Sequence, residues 1–291
     1  MPMSTPVFRF APSPNGQLHL GHALSALIGW QRARACSGRF LLRIEDIDTS
    51  RTRPQFVAGI FVDLAWLGIA WEEPVLYQSH RFSAYAAAAA RLETMGLVYP
   101  CFATRAEIEA ATGPHSARDP DGAPLYPGLY RTRDAGEVTR RRSGGEPFAL
   151  RIDMGKAVAV AAHLRGGAPL RFTELAEDGT PQVVEARPER WGDAVIVRKD
   201  TPASYHLAVV VDDAWQGVTH VTRGRDLYAA TDLHRLLQVL LGLPEPVYHH
   251  NRLVTDDTGR KLAKSARDTS LRALREAGHT PADIRRMLGL G

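Results

Sequence analysis

Two short clusters in this chain combine residue types that handle negative charge. The first is His19-Leu20-Gly21-His22, within "RFAPSPNGQLHLGHALSALIGWQRA" (9–33). Imidazoles three positions apart share one face of a helix, and the glycine between them lets a ligand come close to the backbone. A helix N-terminus presents unpaired N–H groups and a partial positive charge, so a turn of this composition suits a phosphate. Ser13 and Asn15 add donors to the same turn. The second cluster is "GRKLAKSARD" (259–268), where Lys261 and Lys264 precede Ser265. Lysine is a compact charge on a flexible stem, able to follow charge as it moves along a triphosphate. Each cluster also has a plain structural reading. His19 can cap a helix with His22 in a polar gap, and a pair of lysines is commonly a solvated surface.

The elements that must position these residues follow from patterning. "PVFRFAP" (6–12) reads as an apolar strand closed by proline, and Leu20, Leu24, Leu27, Ile28 and Trp30 recur at helical spacing. "GRFLLRIEDID" (38–48) reads as a second strand running into a carboxylate-rich loop. "QFVAGIFVDLAWLGI" (55–69) and "RFSAYAAAAARLETMG" (81–96) follow as helices, the latter stopped by Gly96. This alternation predicts a parallel sheet with its ligand at the carboxyl ends of the strands. Between 112 and 148 the chain turns rich in Gly, Pro, Arg and Asp, which predicts loop. "PFALRIDM" and "TPQVVEA" read as small antiparallel strands. The α/β pattern returns with "DAVIVRKD", "YHLAVVVDDAWQGVTHVTRG" and "YAATDLHRLLQVLLGL". The expected fold is α/β, a Rossmann-like parallel-sheet core with halves at 1–100 and 193–250. A small α+β subdomain is inserted at 101–192, and a basic tail closes the chain at 251–291.

Composition bounds the partners. At 291 residues, 44% apolar and 23% charged, the chain can bury a large core and is not disordered by composition. The net charge is +4, carried by arginine in excess, which suits phosphate through its planar fork. No apolar run approaches the roughly 18 residues of a membrane span, and the N-terminus lacks a basic-then-apolar signal segment. Two cysteines, Cys36 and Cys101, make no disulfide framework, and a cytoplasmic location is expected. Arg140, Arg141 and Arg142 are candidate phosphate contacts or simply a solvated basic loop.

"HLGH" and "KLAKS" resemble the two signature motifs of class I aminoacyl-tRNA synthetases, the second being of the KMSKS type. "FRFAPSPNGQLHLGHA", "RIEDIDTSR" and "YHLAVVVDD…GVTHVTRGRDL" are similar, piece by piece, to the catalytic core of glutamyl-tRNA synthetases. The likeness spans most of 6–265 and is weakest across 105–190. One departure is Ala263, where serine is more usual between the lysines. About 25 residues follow Ser265, too few for a further domain, so no anticodon-binding domain is expected. In this the chain resembles the truncated glutamyl-Q tRNA(Asp) synthetase branch. Its members attach glutamate to the queuosine base in the anticodon loop of tRNA(Asp), a looped-out base of the kind RNA-binding proteins commonly read.

The resemblance implies roles. His19, His22, Lys261 and Lys264 would be catalytic. Pro12, His19, Gly21, His22 and Lys264 would bind ATP with its Mg²⁺. Arg9, Ala11, Ser13, Glu45, Tyr205 and Arg223 would bind L-glutamate, the arginines taking carboxylates and Glu45 the ammonium. Asp46, Asp48 and Arg51 would brace the loop. Many relatives hold zinc with Cys-x-Cys and Tyr-x-x-x-Cys. Cys101 and Tyr126 match that pattern, Ala103 and Tyr130 do not, and His115 is a poor substitute, so no zinc is expected. The enzyme is expected to act as a monomer, with tRNA as its macromolecular partner and no membrane. Nucleotidylyltransferases also use His-x-Gly-His but lack the glutamate pocket. Charging of a tRNA 3′ end, and a non-catalytic RNA-binding paralogue, stay open beside the queuosine reading.

Overall fold

A computed structural model describes residues 5–254 and 270–290. The first stretch alternates strand and helix: β1 (Val7–Phe10), α1 (Leu20–Ala35), β2 (Arg39–Ile44), α2 (Pro54–Trp66), β3 (Glu72–Tyr77) and α3 (Phe82–Thr94). β1 and β2 are buried as continuous runs, as expected of strands covered on both faces. β3 has no counterpart among the expected strands. Its "EEPVLY" carries two glutamates and a proline, which only an edge strand tolerates, and it does lie at the sheet edge.

The middle of the chain forms β4 (Val98–Cys101), α4 (Arg105–Thr112), α5 (Ala135–Ser143), β5 (Ala149–Ile152), α6 (Met154–Leu164), β6 (Arg171–Leu175), β7 (Pro181–Glu185) and β8 (Val195–Val197). α5 lies in the stretch expected to be loop. It buries no residue, so apolar periodicity could not reveal it; the Asp134 N-cap and the basic last turn, Arg140–Arg142, support it instead. The remainder is α7 (Tyr205–Trp215), β9 (His220–Gly224), α8 (Ala230–Leu241), β10 (Val247–Asn251), α9 (Leu271–Glu276) and α10 (Pro281–Met287).

Seven strands form the main sheet in the order β3-β2-β1-β9-β10-β6-β7, parallel throughout except for the β6–β7 hairpin. β4, β5 and β8 form a separate antiparallel sheet. The expected boundaries at 101 and 193 do not coincide with sheet boundaries. β6 and β7 extend the main sheet beyond β10, while β8 completes the small one. Alternation shows that a segment is a strand, not which edge it joins. Phe172 of β6 meets Tyr228 and Tyr248 edge-on, which seats the hairpin against the core.

Strand parity divides the two faces of the main sheet. Phe8, Phe10, Phe40, Leu42 and Ile44 pack with α1, α2, α9 and α10. Val7 and Leu41 pack on the other face, with residues of α3, α6, α7 and α8. Arg9, Arg43 and Glu45 share parity with the second set and so face α7. Among the described residues no helix is long and apolar enough to cross a membrane.

Beneath that face, fully buried Asp212 of α7 accepts from Gln78 Nε2 at 2.9 Å, Arg81 Nε at 2.6 Å and Tyr85 OH at 2.7 Å. One carboxylate thus joins α7 to α3 and the turn before it. Asp212→Ala leaves these donors unsatisfied and is expected to destabilise the protein by about 3–5 kcal/mol. Urea unfolding measures this, and a midpoint equal to that of the parent would contradict it.

Candidate active site

The N-terminus of α1 is built from its own histidines. His19 is extended (φ −128°, ψ 178°), and its Nδ1 accepts from the Gly21 N–H at 3.1 Å. The His22 Nδ1 accepts from the His19 N–H at 3.2 Å, closing a reciprocal cap. With both Nδ1 lone pairs engaged, each neutral ring carries its hydrogen on Nε2 and presents a donor there. The rings lie 3.9 Å apart. A Cβ at Gly21 would stand 3.0 Å from His19 Cε1, so only glycine leaves the capping ring undisturbed. The helix-cap reading and the anion-binding reading of this turn are therefore compatible: one nitrogen of each ring serves the helix, the other can serve a ligand.

The turn borders a cavity of about 760 Å³ at the carboxyl ends of β1, β2, β9 and β10. Arg9, Ala11, Pro12 and Ser13 line it from β1 and the loop that follows. His19, Gly21 and His22 line it from the helix turn, and Glu45, Tyr205 and Arg223 from β2, α7 and β9. Ten expected site residues thus surround one space. Lys261 and Lys264 lie outside the described residues. Their flanks are placed, however: Val254 lines the cavity, Ser270 bridges to His19, and the Leu271 N–H donates to Leu18 O at 2.8 Å.

Four ionisable groups at the base of the cavity are locked together. Arg9 donates from Nε and Nη2 to both oxygens of Asp213, at 3.0 and 3.1 Å. Arg43, with no exposed surface, donates to Asp213 at 2.7 Å, to Gln216 at 3.0 Å and to Glu45 at 3.2 Å. Burial alone would push Asp213 up, but Arg9 and Arg43 outweigh it and hold the carboxylate below its ordinary range. Glu45 goes the other way: burial raises it, and Arg43 and Arg9 offset that only in part. Arg223 is also buried, yet its hydrogen-bond partners here are Tyr205, Thr231 and two histidines, none of them a carboxylate. Burial raises the Tyr205 phenol, against the pull of Arg223, so the hydroxyl stays protonated and available to donate.

The supporting residues Arg43, Asp213, Thr231 and His234 were not among those expected. Their signal was present: Arg43 shares strand parity with Glu45, and two successive aspartates interrupt the apolar run "HLAVVVDDAW". The loop acids act as braces, Asp46 on Ser79 at 2.8 and 2.6 Å and Asp48 on Arg51 at 2.8 Å. Arg51 also reaches the cavity wall. Adjacent His249 and His250 have different partners, the carbonyl of Leu175 for one and Glu174 and Arg223 for the other.

In the insertion, the Cys101 Sγ lies 3.3 Å from the Tyr126 OH, which also accepts from the Tyr130 N–H at 3.0 Å. Ala103 is buried in the same cluster, and the Tyr130 OH is occupied by Arg141 at 2.8 Å. His115 is exposed. Two matching positions, one of them a phenol, do not fit a tetrahedral thiolate site. Among the described residues no three His, Cys, Asp or Glu side chains gather as a metal-ligand set.

Comparison with known proteins agrees with this geometry. The family of class I tRNA synthetases (E and Q), catalytic domain, matches residues 7–290. The glutamyl-Q tRNA(Asp) synthetase of Rhodobacter capsulatus is 47% identical over 291 residues, covering 98% of this chain and 100% of that protein. The protein of the same name from Symbiobacterium thermophilum is 39% identical, covering 95% and 83%. The glutamate-tRNA synthetase structure from Elizabethkingia anophelis superposes with a TM-score of 0.73 at 26% identity, over 95% of this chain. This chain spans 54% of that synthetase's length. A glutamate tRNA ligase from Elizabethkingia meningosepticum, solved with its amino acid, gives the same TM-score at 25% identity. With the histidine turn, the parallel sheet and near-complete coverage in accord, this chain belongs to the class I tRNA synthetases of the E and Q type, among the enzymes called glutamyl-Q tRNA(Asp) synthetase.

Proposed function

We propose that this enzyme activates L-glutamate with ATP and transfers it to the queuosine base in the anticodon loop of tRNA(Asp). The observation that carries the reading is one cavity holding two kinds of recognition. Arg9, Arg223, Tyr205 and Glu45 match two carboxylates and an ammonium, and two imidazole N–H donors at a helix N-terminus match phosphate. Glu45, raised by burial that Arg43 offsets only in part, gains a second ion-pair partner when the substrate ammonium arrives.

In the first step a glutamate α-carboxylate oxygen attacks the α-phosphorus of ATP, the bond to the bridging oxygen breaks, and pyrophosphate leaves. No protein nucleophile is needed; positioning and charge neutralisation suffice. His19 and His22 donate through Nε2 to phosphate oxygens, Lys261 and Lys264 supply positive charge to the triphosphate, and Mg²⁺ brought with ATP would neutralise further phosphate charge. The anchoring of Val254 and Ser270 at the cavity supports this role for the segment between them. In the second step a queuosine hydroxyl attacks the adenylate carbonyl and AMP leaves. End-to-end coverage of a relative named for that reaction supports the acceptor. The enzyme works as a monomer in the cytoplasm. Its insertion binds no zinc: Cys101 and Tyr126 contact each other, and Ala103 and Tyr130 stand at the other two positions of the pattern.

Wild-type protein is expected to catalyse glutamate-dependent ATP–pyrophosphate exchange without tRNA, and to label tRNA(Asp) only when queuosine is present. Equal labelling of queuosine-free tRNA(Asp) would overturn the acceptor assignment. Lys264→Ala is expected to slow exchange by about 100-fold or more, the usual effect of losing one group that stabilises developing charge. Retained exchange in that variant removes Lys264 from the mechanism. Elemental analysis of the purified protein is expected to find no stoichiometric zinc, and one zinc per chain refutes that part.

A further inference from the structure

Arg9 and Arg223 face the same cavity but are held by different chemistry. Asp213 engages Arg9 with both carboxylate oxygens. Arg223 meets neutral acceptors: His250 Nε2 at 3.0 Å, His234 Nδ1 at 3.1 Å, Thr231 Oγ1 at 2.7 Å and Tyr205 OH at 3.4 Å. A guanidinium has donors only, so each ring nitrogen facing it must be the one without hydrogen. That fixes both tautomers. His250 carries its hydrogen on Nδ1, 2.8 Å from Glu174 Oε2, while Glu174 Oε1 accepts the backbone N–H of His250 at 2.9 Å. His234 carries its hydrogen on Nε2, 3.2 Å from His206 Nδ1, which must then accept. Two chains of hydrogen bonds, Glu174–His250 and His206–His234, end on one arginine.

The electrostatics agree with the geometry. Burial and the charge of Arg223 lower all three imidazoles, His206 and His250 to about 4, which keeps them neutral around pH 7. Burial would raise Glu174, but the His250 ring and backbone N–H outweigh it and hold the carboxylate ionised. Glu174 belongs to β6, which pairs with β10 at Tyr248, so a strand of the inserted segment reaches the glutamate pocket through one imidazole.

We propose that His250, set by Glu174, and His234, set by His206, are positioning residues for Arg223. They hold the guanidinium through neutral acceptors, so that the carboxylate which answers its charge is the substrate's and not the protein's. The proposal rests on the reading of the cavity as a glutamate site.

The two fixed tautomers give a crossed test. A glutamine side chain can place its amide oxygen where His250 has Nε2, and an asparagine where His234 has Nδ1. Glutamate-dependent ATP–pyrophosphate exchange is measured for His250→Gln, His250→Asn, His234→Asn and His234→Gln. The mismatched variants, His250→Asn and His234→Gln, are expected to raise KM for glutamate about tenfold or more, the usual scale for a lost hydrogen bond to a charged group. KM for ATP and kcat should stay within a factor of about two, because Arg223 makes no hydrogen bond to the histidine turn. The matched variants, His250→Gln and His234→Asn, should recover most of the affinity. Either pair decides alone, and KM for ATP reports that the protein is folded. Equal KM values in matched and mismatched variants, or KM for ATP rising in step, overturn the positioning role and leave the glutamate site standing. Wild-type protein without glutamate-dependent exchange overturns both.

Discussion

A single carboxylate holding two buried guanidinium groups is the constraint on which this site depends. Arg9 and Arg43 come from adjacent parallel strands and point to the same face of the sheet. Side by side and out of water, two such charges would repel each other and the fold. Asp213 sits between them, on a helix whose buried side is otherwise mostly aliphatic. The ion cluster therefore fixes the distance of α7 from β1 and β2, and with it the positions of Tyr205 and Glu45. Cavity wall and fold core are one structure here, because Arg9 and Glu45, which line the cavity, are held by Asp213 and Arg43.

The opposite wall is assembled differently. Arg223 on β9, His250 on β10, Glu174 on β6 and His234 on α8 converge through hydrogen bonds among mostly neutral groups. The hairpin of β6 and β7, though part of the inserted stretch of chain, lengthens the main sheet and buries one of its acids beside the cavity. Insertion and core are thus mutually dependent: β10 gains a neighbour on its far side, and β6 gains the template for its pairing.

Much of this was readable beforehand for identifiable reasons. The buried strands β1 and β2 announce themselves as apolar runs, and the histidine turn falls where the strand pattern gives way to a helical one. Other elements left little trace. α5 has no buried face, and β3 carries edge chemistry that resembles loop. Strand patterning identifies β7 but not β6, its hairpin partner, nor the pairing of β6 with β10 more than 70 positions further along the chain. Arg43 and Asp213 were hard to find for a related cause. A long-range ion pair is visible in sequence only as an isolated charge in an apolar run, and such charges have many uses.

The reciprocal cap at the start of α1 has a consequence for metals. Histidines three apart on one helix face look like a ready chelate. Here each Nδ1 lone pair points back at a backbone N–H, and each Nε2 bears hydrogen. A transition-metal cation meeting the turn would find no lone pair without first unwinding the helix start or forcing a ring into its other tautomer. The cap therefore leaves the turn with N–H groups that suit electron-rich oxyanions and without the lone pairs that a divalent cation needs.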